Sequence, residues 1–322
     1  AQVAPHAGEV AALAVAGQLH GLVVLGPVDR PLRPAKLWND TESAPQAAAL
    51  VERRGAEAWA EACGSVPLAA FTVTKLAWLV EHEPEVAASA ARIMLPHDYL
   101  TFRLCGEHVT DRGDASGSGW FDGAGGSYRD DLLALVGGRD DWATLFPKVL
   151  GPRDRAGGVT AEAATALGIP EQTAVGPGTG DNMGSALGLG LRPGDAVMSL
   201  GTSGVVYAAS ATPTRDASGA VAGFCDATGA FLPLVCTLNA TKVTDTVARW
   251  LGLDHEAFAA AALAAPAGAA GVSLVPYFDG ERTPNLPEAT GTFEGLRNTT
   301  SREDLARAAH EGVIGGLLHG LD

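Results

Sequence analysis

Asp181 lies in the segment 176–188, GPGTGDNMGSALG, where an apolar stretch meets three glycines, an Asp-Asn pair and a run of small residues. Glycines there let backbone or substrate approach closely. A helix starting at this point sets the Asp181 carboxylate at the mouth of the loop, where it can take a proton from a substrate hydroxyl. The pattern equally suits a plain helix cap, a common use of Asp. Residues 199–204, SLGTSG, form a Gly/Ser/Thr turn between apolar stretches. Backbone N–H groups in such a turn make a concavity for anions, and Thr202 and Ser203 add hydroxyl donors. An ordinary hairpin turn reads the same way.

Three further constellations stand out. Gly17-Gln18-Leu19-His20-Gly21 sets two polar side chains at an expected strand end, the usual ligand position in α/β sheets. A histidine satisfied in a tight turn is the plainer account. Leu37-Trp38-Asn39-Asp40 offers a ring to stack on a sugar face beside polar groups, or a core Trp followed by capping residues. In 276–284, PYFDGERTP, the adjacent Glu281 and Arg282 read as a structural salt-bridge element. No G-x-x-x-x-G-K-[ST] occurs, and no G-x-G-x-x-G opens a βαβ unit near the start, which argues against a Walker-type ATPase and a Rossmann dehydrogenase.

These residues need strands and helices to hold them. Residues 10–16 (VAALAVA) read as a buried strand ended by Gly17, 22–25 as a second strand, and 32–37 as a third extended piece. Helices are expected over 41–62, over 72–94 with a break at Pro84, and over 98–105. Residues 106–127, rich in Gly, Ser and Asp, read as irregular loop. Short helices follow at 131–137 and 161–167. Strands are expected at 173–175, 197–200, 205–209, 231–235 and 272–277, with helices at 243–251 and from Ser301 onward. The Ala-rich 259–270 reads as helix or loop. The mixture argues α/β, with a boundary near Leu191-Arg192-Pro193-Gly194. The apolar stretch 311–321 stops at Asp322 without a cap or polar tail, and reads as a helix cut in mid-course.

Composition sets limits. The chain has 322 residues, 47% of them apolar and 18% charged, enough for about two domains with a sizeable core. A net charge of −15 excludes a nucleic-acid binder, which needs clustered Lys and Arg. Cys63, Cys105, Cys225 and Cys236 form no C-x-x-C pair and read as reduced thiols of a cytoplasmic protein. No uninterrupted apolar run reaches spanning length, so no membrane partner is expected.

Singly these motifs are weak; their order is not. GQLHG, LWND, TKLAWL, LPHDYL, GTGDN, SLGTSG, PYFDGERTP and GTFEGL follow one another as in the FGGY family of carbohydrate kinases, over nearly the whole chain. Residues 71–79 (FTVTKLAWL) resemble one family signature and 291–304, opening GTFEGL, the other. GQLHG is similar to the element that marks the xylulose-phosphorylating branch. Leu19 stands for the branch's usual Met, and Glu42 where an Arg is expected.

The resemblance implies two ribonuclease-H-like, actin-like ATPase domains with a cleft between them, 1–192 binding sugar and 193–322 binding nucleotide. It implies transfer of a phosphoryl group from ATP, with Mg²⁺, to D-xylulose, giving xylulose 5-phosphate. Asp181 is then the catalytic base, Gln18, Leu19, His20, Trp38 and Asn182 contact the sugar, and Gly201, Thr202 and Ser203 hold phosphates. No metal ligand is assigned within the chain. The family's first-strand D-x-G-T loop and late G-G-A adenosine element are not found, so both domains are expected to be incomplete. The partner is a small sugar, with a homodimer as the assembly considered. Ribulose, gluconate or glycerol kinases of the same family, and a non-catalytic fragment, are the alternatives.

Overall fold

The computed structural model describes residues 4–320. The end of the apolar stretch at 321 and 322 lies outside the described residues. The chain divides into two compact units, one of residues up to Gly194 together with Ala209–Pro233, the other of Asp195–Ala208 with Leu234 onward.

The first unit opens with a 3₁₀ turn, Ala4–Glu9, then β1 (Ala12–Leu13), β2 (Ala16–Gly17) and β3 (Val23–Leu25). Helices α1 (Ala44–Arg54), α2 (Ala56–Cys63), α3 (Thr72–His82) and α4 (Pro84–Ser89) follow, then β4 (Arg92–Met94), α5 (Pro96–Cys105), β5 (Val109–Asp111) and α6 (Arg112–Ser116). After β6 (Phe121–Asp122), β7 (Ser127–Tyr128), α7 (Asp130–Leu133), β8 (Lys148–Leu150) and β9 (Gly157–Gly158) come α8 (Ala161–Leu167), β10 (Ala174–Val175), β11 (Thr179–Gly180) and α9 (Asp181–Leu189). The second unit contains β12 (Ala196–Leu200) and β13 (Gly204–Ala208). The chain returns to the first unit for β14 (Ala222–Cys225), and β15 (Phe231–Thr237) leads back into the second. There α10 (Thr241–Leu251), α11 (His255–Ala264), β16 (Ser273–Val275), β17 (Thr292–Glu294) and α12 (Arg302–Leu318) complete it.

The strands that position the site are short and parallel. β1 pairs with β10, Ala12 opposite Ala174, and β2 with β11, Thr179 opposite Ala16. Between these pairings residues 14–15 face 176–178, three residues against two. Such an insertion is a bulge, and it bends and re-aims the strand. Gly178 in the bulge has φ +77°, and a Cβ there would lie 2.8 Å from the Val15 carbonyl oxygen, so glycine fits where other residues would not. β5 runs parallel to β8, while β3–β4 and β6–β7 are antiparallel.

Several elements differ from the sequence reading, for local reasons. Residues 10–16 give two short, part-exposed strands rather than one buried strand, because the bulge interrupts the ladder. Residues 32–37 form no strand; bridges Leu25–Pro31 and Leu22–Lys36 tie this stretch to its neighbour. The expected 41–62 helix is two, broken where Gly55 takes φ +88°. Residues 92–94 pair as β4 instead of extending a helix. The stretch 106–127 holds β5, α6 and β6, with Asp111 capping α6 through Gly113 and Asp114. The Ala-rich stretch is helical through α11, capped by Asp254, which accepts from the Ala257 amide at 2.8 Å.

In the second unit α12 begins at Ser301, whose hydroxyl accepts from the Asp304 amide while the Asp304 carboxylate accepts from the Ser301 amide. Its Ala306, Ala309, Val313 and Leu317 pack with Val206, Val243, Val247, Phe258 and Leu274 into that unit's core. Burying side chains of this size contributes about 1.5–3 kcal/mol each for the larger ones. Glu281 is 2% exposed, and the partners of its carboxylate are amides. It accepts from the amides of Leu238 (2.6 Å) and Arg282 (2.7 Å) and from Asn239 Nδ2 (2.9 Å). The salt-bridge reading of this pair is therefore replaced by that of a buried carboxylate satisfying a turn.

Candidate active site

β2 and β11 end side by side, with Gly180 opposite Gly17. Gln18, Leu19 and His20 leave one strand and Asp181 and Asn182 the other, at the same edge. Carboxyl ends of parallel strands are where α/β sheets hold ligands. The two segments touch: a Cβ on Gly180 would lie 1.8 Å from Leu19 Cδ2, so glycine there lets Leu19 pack beside Asp181.

Asp181 is the first residue of α9, and Gly180 holds the cap position. Asp181 Oδ1 accepts from the Asn182 amide at 2.8 Å. The residue reaches solvent, yet crowding by surrounding protein atoms raises its pKa above the ordinary carboxylate value. Asp114 pushes the same way, while the Asn182 amide and His20 oppose it. A carboxyl raised toward working pH, at a strand end, suits proton abstraction from an alcohol.

His20 has φ +59°, a left-handed conformation that costs about 1–2 kcal/mol in a non-glycine residue. Its amide donates to Asp114 Oδ1 at 3.1 Å, and its carbonyl accepts from Thr72 Oγ1 at 3.2 Å. The ring stacks on Phe71 at 5.4 Å, with Phe224 at 4.9 Å. Nδ1 lies 3.2 Å from Asp114 Oδ1. Gly117 lies against the Cε1 edge of the ring; a Cβ there would come within 1.8 Å of Cε1.

Behind this ring lies a buried charge cluster. His97 Nε2 faces Asp98 Oδ1 at 3.2 Å, Asp111 Oδ1 at 3.4 Å and Asp114 Oδ2 at 3.5 Å. Burial disfavours the charged imidazole, but Asp98, Asp111 and Asp114 together overcome this and push its pKa up to about 10. Burial also lifts Asp98 to about 7, against the pull of His97. Asp111 Oδ2 accepts from Thr179 Oγ1 at 2.6 Å, which ties the cluster to β11. Sequence reading did not single out these four as functional. The available signal was two Asp residues flanking Arg-Gly in TDRGDAS, inside a stretch taken for loop.

Among the other expected contacts, Gln18 and Asn182 are half-buried at the strand ends. Trp38 is 46% exposed, in the loop after Lys36. The Lys36 ammonium pairs with Asp40 at 2.8 Å and Glu42 at 2.5 Å, so Glu42 has a cationic partner. In the second unit β12 and β13 form a hairpin, Ala196 opposite Ala208 and Leu200 opposite Gly204. In its turn the Gly201 amide donates to the Ser203 carbonyl at 3.0 Å. The Gly201 carbonyl accepts from the Thr241 amide and hydroxyl, which pins the turn to the start of α10. Gly201 and Thr202 are exposed and Ser203 is half-buried.

No helix among the described residues is long and apolar enough to cross a membrane, and Cys63, Cys105 and Cys225 are buried thiols. Known proteins are similar to this chain in sequence and fold. The xylulose kinase of Streptomyces coelicolor is 51% identical over 317 residues, 98% of this chain and 63% of that protein. The crystal structure of xylulose kinase from Bifidobacterium adolescentis superposes with a TM-score of 0.86 at 44% identity, over 97% of this chain and 69% of that one. A gluconate kinase structure from Lactobacillus acidophilus gives a TM-score of 0.86 at 27% identity, over 95% of this chain and 63% of that one. The chain thus spans about 63% of the length of the curated relative it matches. Residues 2–188 match the N-terminal domain, and 196–322 the C-terminal domain, of one family with the two-domain, actin-like sugar-kinase fold. With both domains matched and half the residues shared with a named member, this chain belongs to the FGGY family of carbohydrate kinases.

Proposed function

We propose that the protein carrying this chain phosphorylates D-xylulose with ATP, giving xylulose 5-phosphate, with Asp181 as the base. The observation that supports this reading is that Asp181 and the segment carrying His20 leave the ends of two paired parallel strands, Gly180 opposite Gly17, with the Asp181 carboxyl raised by its surroundings. Gln18, Leu19, His20, Trp38 and Asn182 would line the sugar. The division into sugar-binding residues 1–192 and nucleotide-binding residues 193–322 belongs to the same reading.

Phosphoryl transfer proceeds through a loose transition state, so the protein's work is alignment and charge stabilisation. His20 orients a sugar hydroxyl, and Asp181 accepts its proton as the new P–O bond forms and the bridging P–O bond to the ADP leaving group breaks. Exposed Gly201 and Thr202, with Ser203, offer hydroxyl and amide donors suited to phosphate oxygens, beside the N-terminus of a helix. Among the described residues no group of three or more His, Cys, Asp or Glu is placed to hold a metal ion. Mg²⁺ would bind with the nucleotide phosphates, as is usual for this ion. The buried thiols Cys63, Cys105 and Cys225 fit a cytoplasmic protein, and a homodimer is the assembly to check by light scattering.

Gluconate kinase is the second reading, favoured by the structural likeness alone. A coupled kinase assay on the whole protein across xylulose, ribulose, gluconate and glycerol decides. Xylulose should give the highest kcat/KM; a higher value for another sugar overturns the assignment.

A further inference from the structure

We propose that Asp114 and His97 are positioning residues for the sugar site. Asp114 clamps His20 in one rotamer and one tautomer, and His97 supplies the buried positive charge that Asp114 faces. The inference rests on the reading of His20 as a sugar contact.

The geometry is specific. One oxygen of Asp114 serves both halves of His20, the amide at 3.1 Å and ring Nδ1 at 3.2 Å. The ring contact is at ion-pair distance without hydrogen-bond alignment, and Nδ1 has no other partner. A carboxylate beside Nδ1 favours the proton there. Nε2, on the opposite edge of the ring, is then left as an acceptor for a sugar hydroxyl. Phe71, Phe224 and Gly117 close the remaining sides, so the ring has no second well-packed position.

Asp114 is fully buried, and its second oxygen accepts no hydrogen bond. A carboxylate so placed needs a counter-charge. His97 is the cationic group at that oxygen, 3.5 Å away and fully buried itself. The same His97 packs its Cβ against Gly17 of β2, and its Nδ1 edge lies against Gly178 of the bulge. It therefore touches both strands that carry the site. A neutral amide at 114 cannot satisfy both sides. With its oxygen toward His20, its NH₂ meets the His97 cation. With its oxygen toward His97, its NH₂ faces the His20 amide and Nδ1–H, and the ring must change tautomer.

The test reads the His20 ring by nitrogen-15 NMR on the whole protein, before any sugar is added. Wild type should show Nδ1 protonated and Nε2 bare, and Asp114→Asn should shift the ring toward the Nε2–H tautomer. Calorimetry with D-xylulose then compares His97→Gln with His97→Lys. His97→Gln should weaken binding about tenfold or more, because the Asp114 carboxylate is left buried without its counter-charge. His97→Lys, which keeps the charge, should stay within about threefold. A His20 spectrum unchanged in folded Asp114→Asn overturns the clamp. So does His97→Lys binding as poorly as His97→Gln when circular dichroism shows both folded. If the tautomer responds as described but wild type binds gluconate and not xylulose, the clamp stands and the substrate reading falls.

Discussion

Replacing Gly117 by Ala should disable the sugar site while leaving the fold in place. Gly117 has φ −90° and ψ 0°, values open to Ala, so the backbone does not oppose the change. Reduced freedom of the unfolded chain even contributes about 0.4–1 kcal/mol to stability. The obstacle is the His20 ring: the new methyl would lie 1.8 Å from Cε1, 2.2 Å from Nδ1 and 2.8 Å from Nε2. To reach ordinary contact near 3.4 Å the ring must retreat about 1.6 Å. Phe71 and Phe224 block easy retreat, and such a shift separates Nδ1 from Asp114, now at 3.2 Å. Overpacking costs about 1–3 kcal/mol, so net stability falls by no more than about 2.6 kcal/mol. Losing a neutral hydrogen bond to the sugar is worth about 0.5–1.5 kcal/mol, which in binding is about 2- to 12-fold. Calorimetric titration with D-xylulose measures this directly, with Gly188→Ala as control. Gly188 lies in α9 with nothing within 4 Å of a new Cβ, so that variant should gain about 0.5–1 kcal/mol and bind as wild type. Wild-type affinity in Gly117→Ala would refute the placement of His20 against the sugar.

Thermal stability should fall as pH rises from 7 to 10. His97 is raised by its carboxylates to about 10, so the folded state binds more protons in this window than the unfolded chain. That stabilisation is complete below the unfolded value near 6.5 and is lost through pH 10. Asp98, raised by burial, acts in the same sense between about pH 4 and 7, and the groups facing His97 are Asp98, Asp111 and Asp114. Differential scanning calorimetry of wild type and His97→Gln should show a shallower decline in the variant above pH 7; parallel declines would contradict this. In the second unit, Glu281→Ala strands the amide of Leu238 and the Asn239 side chain, and should lower unfolding free energy in urea by about 1–3 kcal/mol or more. A loss below half a kcal/mol would show that water replaces the carboxylate.

Asp181, His20 and their glycines were legible because loop chemistry is written locally. The glycines before Asp181 and the run GQLHG mark close approach wherever they fall. Helices with a local stop or start, such as α8 and α12, were legible for the same reason: Gly168 ends one and Ser301 with Asp304 opens the other. The strands were harder. The strand expected at 173–175 is β10, but β1, β2 and β11 are two residues each, too short for alternation to register, and the bulge at 176–178 depends on pairing across 162 residues, as between Ala12 and Ala174. The buried cluster was hidden for a related reason. His97 and Asp98 open α5 and Asp111 and Asp114 flank the start of α6; only the fold brings them within 3.5 Å of one ring nitrogen, or closer.

The central claim is that the Asp181 carboxylate takes the proton of the attacking hydroxyl. Asp181→Asn keeps the shape and the Asn182 contact but removes the base. In the whole protein, steady-state kinetics with D-xylulose should show kcat falling by about 10²–10⁴-fold, the usual span for a general base, while the sugar dissociation constant changes by less than about fivefold. Turnover retained within tenfold of wild type, or binding lost in proportion to turnover, would contradict the account.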